Sequence, residues 1–156
     1  MPAFRELTSD DEWEEAVPIL RQLWSHREAS FVRSWREDEA YRLFGWFVEN
    51  GDGTARDAAG DDGGTTVPGQ LVAVAGIYVQ IVIHHERGCW VHDLVVDEAH
   101  RGDGHGEALL DALGEWADER DCAHVALVCA ADNDEAAAFY EHVGMETFGT
   151  VYEAGI

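Results

Sequence analysis

"DLVVDEAHRGDGHGEALL", Asp93 to Leu110, joins an apolar run to a helical-looking one through three glycines in five positions. Glycine is the costliest residue to order, so three of them where a strand turns into a helix call for a reason. The first amides of a helix lack internal partners and point outward, and the helix dipole adds positive potential there. Glycines in front of them let an anion reach the main chain. The stretch therefore reads as a phosphate site. A P-loop is excluded, because it needs a Gly-Lys-Ser/Thr end and the chain has no lysine. A dinucleotide fingerprint needs G-x-G-x-x-G, whereas Gly102, Gly104 and Gly106 run G-x-G-x-G and lie two-thirds along the chain.

Outward from this turn, the chain alternates helical and extended signals. "AFREL" (3–7) suits a first strand, and "SDDE" (9–12) is a capping box opening a helix with Trp13, Val17, Leu20 and Trp24 on one face. A second helical stretch is expected over Phe31–Arg42, and "LFGWFVE" (43–49) reads as a strand. The polar, Gly- and Asp-rich segment 50–70 reads as a flexible loop insertion. The runs 71–83 and 89–96 pair as a hairpin across "HHERG". After the glycine turn come a helix with Leu109, Leu110, Leu113, Trp116 and Ala117 on one face, a strand "HVALVCA" (124–130), and a second capping box "DNDE" (132–135). That box starts a helix which Gly144 ends, and "ETFGTVYEA" (146–154) supplies a last strand or two. The order implies an α/β domain spanning 1–156, with a mixed sheet of about six or seven strands flanked by helices.

Composition narrows the function classes. Thirty-two acidic residues face ten basic ones, a net charge of −22, and all ten bases are arginine. Such a surface repels nucleic acid and anionic membranes. Two readings of the charge remain: a surface that attracts cationic substrates, or one kept hydrated in concentrated salt, the halophilic pattern that acidic excess without lysine favours. No segment has the length of a membrane span or the form of a signal peptide, so a cytoplasmic protein is expected. The three cysteines show no CxxC spacing, which favours small buried hydrophobes over a disulfide framework or a metal site.

About thirty residues after the glycine turn stands "NDEAAAFYEHVGM", Asn133 to Met145. The pattern Arg101-x-x-Gly104-x-Gly106, followed by Asn133, Phe139-Tyr140-Glu141 and Gly144, resembles the two signatures of the GCN5-related N-acetyltransferases. The resemblance is firm over 89–146. It implies acetyl-CoA as co-substrate and no metal. It assigns the pyrophosphate to the turn formed by Arg101, Gly102, Asp103, Gly104, His105, Gly106 and Glu107. The pantetheine arm falls on Leu94, Val95 and Val96, in a wedge left where the following strand splays away, and Asn133 helps place the cofactor. The chain departs from the pattern in carrying Asp103 and Glu107 where relatives often have Lys or Arg. It also has Met145 in place of the usual Phe.

Amide formation from a thioester needs a neutral amine, donors for the oxyanion and a proton for the leaving thiolate. The resemblance gives Tyr140 the last task. His92 is the candidate base, because imidazole titrates in the useful range and strand alternation places it near the thioester, with Asp93 on the other face. Glu49, Asp93 or a water chain are the alternatives, and His105 is expected to cap the glycine turn. The implied activity is acetyl transfer to a primary amine by direct attack in a ternary complex, the acceptor being a small molecule or a peptide. Two rivals are an inactive acyl-CoA-binding regulatory module and a transferase using a longer acyl group. Relatives are often dimers, which leaves a homodimer open.

Overall fold

The computed structural model describes residues 2–49 and 69–156. Strands β1 (Ala3–Glu6), β2 (Arg42–Val48), β3 (Gln70–Val82), β4 (Glu86–Val96) and β5 (His124–Leu127) form one sheet in the order β1-β2-β3-β4-β5. The first four are antiparallel neighbours and β5 is parallel to β4. Helices α1 (Asp10–Leu23) and α2 (Ala29–Ser34) precede β2, α3 (His105–Asp118) links β4 to β5, and α4 (Asp134–His142) follows β5. The loop expected over 50–70 falls on residues 50–68, outside those described; Gln70 already belongs to β3.

The sheet is covered on both faces. Trp13, Val17 and Leu20 of α1 bury against Leu43, Phe47, Val74 and Val95 on one side. Leu109, Leu113 and Trp116 of α3 bury against Phe44, Ala75, Ile77, Cys89 and Val91 on the other. Period-two alternation along β2 and β3 sends successive residues to opposite faces, so both strands are apolar almost throughout. Leu109 and Leu113 are fully buried, each stabilising the fold by about 1.5–3 kcal/mol relative to exposure.

Local signals account for most boundaries. Ser9 and Glu12 make the expected reciprocal capping box on α1. Ile83, His84 and His85 connect β3 to β4, and Glu86 takes a left-handed φ of 57° on the way into β4, a short hairpin connection. Trp24, expected on the buried face of α1, is its C-cap and stays 39% exposed.

Three expectations are corrected. The helix foreseen over 31–42 is α2 plus a 3₁₀ turn at Trp35–Glu37. It stops there because the Asp38 carboxylate accepts the Ala40 N–H and turns the chain. The cap of α4 is Asn133, whose Oδ1 accepts from Ala136 N–H, and not Asp132. The sheet has five strands among the described residues, fewer than the six or seven expected, since 146–154 is irregular. Phe148, Val151 and Tyr152 there are 72, 64 and 92% exposed, so no partner face rewards an extended pairing, whatever the local β propensity.

The glycine turn and the gap between β4 and β5

The three glycines have two different reasons. Gly102 and Gly104 adopt φ of 89° and 82°, left-handed values that a side chain would strain, and a Cβ on either would meet only open space. Gly106 is buried, and its problem is packing: a Cβ would lie 3.3 Å from both Phe139 Cζ and Val96 Cγ2. The first two glycines shape the turn; the third lets the start of α3 close on β4 and α4.

Gly104 is the N-cap of α3, with no side-chain bond to the helix amides, so His105 is the first helical residue and does not cap. The first turn bond of α3 runs from Ala108 N–H to Gly104 O. Among the described residues, the N–H groups from Gly102 to Glu107 have no carbonyl or side-chain acceptor. Six main-chain donors thus surround one helix start, with its partial positive charge. Arg101 is the adjacent cation; its Nε donates to Val96 O at 3.1 Å, leaving the rest of an exposed guanidinium outward. Asp103 and Glu107 are exposed beside it.

The turn is tied to the opposite helix. Gln22 near the end of α1 donates to Asp97 Oδ1 at 3.0 Å and accepts from Glu98 N–H at 2.8 Å. Asp97 also accepts from Ala99 N–H. These bonds hold its carboxyl below the usual range, the Gln22 bond first and burial opposing. Sequence reading missed Gln22 and Asp97, because a contact across 75 positions leaves no local pattern.

Pairing between β4 and β5 lasts only four residues, ending at Val91↔Leu127, while β4 runs on to Val96. This is the wedge expected from the sequence. Asp97 N–H donates to Val72 O on the β3 side, so by alternation the main-chain groups of Val96 and Leu94 face the open side and those of Val95 face β3. The Arg101 bond to Val96 O agrees. Leu94 and Val96 therefore offer an unpaired strand edge leading from the glycine turn to the last β4–β5 pair.

At that pair the strand bulges. Ile77 pairs with Val91 and Gly76 with Asp93, so His92 is an extra residue. The bulge breaks the alternation assumed from sequence. Cys89, Val91, Leu94 and Val96 pack toward α3, whereas Asp93 reaches Tyr41 and Trp24 on the α1 side and His92 meets Tyr78. Asp93 is thus not on the far face from His92. Its Oδ2 accepts from Tyr41 O–H at 2.6 Å and its Oδ1 from Trp24 Nε1. His92 is exposed, its ring edge-on to Tyr78 at 5.1 Å. A side chain at Gly76 would put its Cβ 1.7 Å from the Tyr41 hydroxyl, so only glycine leaves room for that bond.

Tyr140 follows Phe139, the residue packed on Gly106, and is half-buried. Burial, and secondarily the Cys129 thiol, raise its pKa above that of an ordinary phenol. Cys129 lies two positions past Leu127, where β5 ends. His92 follows Val91, and Tyr140 neighbours Cys129, so both approach the point where the strands part. Asn133 stands exposed at the start of α4, its side chain engaged in the cap. A separate cavity of about 660 Å³ lies between α1 and the 35–37 turn. It includes Asp38 and Tyr41 but no residue of β4 or the glycine turn.

Among the described residues no group of His, Cys, Asp and Glu is arranged to hold a metal ion, and no helix is long and apolar enough to cross a membrane. All three cysteines are free. Cys89 is fully buried, and burial pushes its thiol up to about 12.

Comparison with known proteins agrees with this geometry. The chain is 26% identical over 140 residues, 87% of its length and 85% of the other's, to an uncharacterized N-acetyltransferase, YhdJ, of Bacillus subtilis. The fold matches a ribosomal-protein-alanine N-acetyltransferase from Brucella melitensis with a TM-score of 0.75 at 20% identity, covering all of both chains. It also matches the aminoglycoside N-acetyltransferase AAC(6')-Iy, solved in complex with CoA, with a TM-score of 0.75 at 13% identity, covering 100% of this chain and 95% of that one. The sequence profile of the acetyltransferase (GNAT) family matches residues 13–145. A glycine turn with free amides, a strand that continues past its parallel partner and a profile spanning most of the sequence lead to one conclusion: the chain belongs to the GNAT acetyltransferase family.

Proposed function

We propose that this protein transfers an acetyl group from acetyl-CoA to a primary amine by direct attack, with both substrates bound together. The observation that carries the reading is the run of six amides from Gly102 to Glu107, unpaired among the described residues and continuous with the open edge of β4 at Leu94 and Val96. The amides and Arg101 suit a diphosphate. The strand edge suits an amide-containing arm that adds as a short extra strand. Together they aim a thioester at the His92 bulge.

The residues present divide the chemistry. Open-edge N–H groups of β4 are the donors for the carbonyl oxygen as negative charge develops on it. The Tyr140 hydroxyl gives its proton to the departing thiolate; burial keeps that proton in place beforehand. His92, exposed beside Tyr78, takes the proton of the incoming ammonium directly or through water. Asp93 is less suited to that task, since both its oxygens already accept hydrogen bonds. Positioning of the two reactants supplies the remaining rate enhancement without a covalent enzyme intermediate.

The test is acetyl-CoA binding by calorimetry, with thiol release measured across a panel of amines. Wild type binds and turns over. Gly104→Ala, which strains a left-handed cap, weakens binding at least 10-fold. Tight binding with no thiol release from any amine would favour a regulatory module instead. Unaltered binding by Gly104→Ala would remove the turn from the site.

A further inference from the structure

An aromatic wall with two carboxylates runs from the surface to the His92 bulge. Trp35 of the 3₁₀ turn packs on Tyr41 at 5.8 Å, Tyr41 on Tyr78 at 5.6 Å, and Tyr78 on His92 at 5.1 Å. The hydroxyls are held by acids: Tyr41 by Asp93 at 2.6 Å and Tyr78 by Asp38 at 2.7 Å. Trp24 closes the group by donating to Asp93. Asp38 bonds Tyr78 directly, and Asp93 bonds the ring packed against it, so both acids border Tyr78. Burial first, then these acids, push the Tyr78 hydroxyl up to about 12. Among the described residues, no arginine is hydrogen-bonded or ion-paired to either acid. Trp24 and Trp35 remain 39 and 41% exposed, unusual for rings that could have packed inward.

Ring faces beside unneutralised carboxylates favour a cation. The attacking amine arrives as an ammonium and is neutral once His92 has taken its proton, so these charges no longer favour it at the moment of attack. A charge still held here during the attack belongs to another group of the same acceptor. Resting on the transferase reading above, we propose that Trp35 and Tyr78, backed by the buried Tyr41 and with Asp38 and Asp93, form an acceptor subsite for a small amine that carries a second positive charge, a diamine or polyamine. The net charge of −22 raises the local concentration of such cations before they dock.

The experiment compares kcat/KM for acetylation of 1,4-diaminobutane and of butylamine, equal in chain length, at one ionic strength, with an alanine-initiated peptide alongside. The expected result is at least a 10-fold preference for the diamine. In Asp38→Asn, which retains an acceptor for Tyr78 and removes the charge, the preference falls toward 1; thermal melting verifies that the variant is folded. Tyr78→Phe, which frees the Asp38 carboxylate, preserves the preference. Butylamine or the peptide matching the diamine, or a preference unaffected by Asp38→Asn, overturns the subsite and leaves the transferase reading standing. Thiol release with none of the three overturns both.

Discussion

A phenol that must surrender a proton to a thiolate has to keep it until the carbon–sulfur bond breaks. Tyr140, the proposed donor, meets that condition through its surroundings: half-burial and the nearby Cys129 thiol disfavour the phenolate. Tyr140→Phe should lower kcat roughly 10-fold or more with little change in acetyl-CoA affinity, read by thiol release and calorimetry; an unchanged kcat would return the residue to packing. His124 shows the opposite kind of control. Its ring sits against Gly88 and His85, and burial first, then His85, lower its pKa beneath the ordinary 6.5, with Glu86 opposing. The unfolded chain therefore takes up the proton before the folded one does. Stability contributed above pH 6.5 is lost as pH falls from there toward the lower folded value. Melting temperatures between pH 8 and 5 should decline, and His124→Gln should flatten the decline. The identity of the glycines was legible in the sequence, but their division of labour was not. Left-handed φ at Gly102 and Gly104 and crowding at Gly106 are both written simply as Gly.

Elements were readable where their signals are local. The capping box of α1, the apolar stripe of α3 and the end of α4 all follow from neighbouring residues. At that end Gly144 N–H donates to Glu141 O and Met145 N–H to Tyr140 O, the paired bonds of a Schellman motif. The bulge in β4 was not readable. An extra residue is defined by the partner strand, and one inserted position took His92 off the face of Leu94 and Val96, where alternation predicts it, and put it on the side of Asp93. The tail failed as a strand because its apolar residues stay largely exposed, Phe148 touching the rings of His84 and His85. Helix α4 has no fully buried residue, so its ends matter more than its packing. Asn133→Ala, which removes the cap, should cost about 1 kcal/mol of stability. It should also reduce kcat by loosening the helix that carries Tyr140. Denaturant melts and steady-state kinetics measure both; a stability loss with kcat intact would separate the cap from the phenol.

At the scale of the whole molecule, charge dominates. A chain of 156 residues with a net charge of −22 repels itself when folded. Among the described residues few of the acids are neutralised by arginine: the ion pairs Arg5–Glu12, Arg33–Glu14, Arg36–Asp10, Arg42–Glu6 and Arg120–Glu119 all involve at least partly exposed side chains, each worth little. Screening should therefore stabilise the fold. The melting temperature should rise by several degrees between 0.05 and 1 M potassium chloride, most steeply at the low end, where the screening length is longest. A flat profile would mean that the repulsion is already relieved by spacing. If the glycine turn holds the diphosphate as proposed, acetyl-CoA affinity should rise over the same range, because Asp103 and Glu107 are exposed beside it.

The last turn of α1 has a consequence for how the two substrates meet. Gln22 grips the chain leaving β4, and two residues later Trp24 grips Asp93 beside the bulge. One helical turn thus touches both the proposed donor half and the proposed acceptor half, like a hand on both leaves of a hinge. On that reading, a substrate that shifts this turn would alter the hold on the other substrate. Whatever factor the first substrate imposes on the second's grip, the second returns in equal measure.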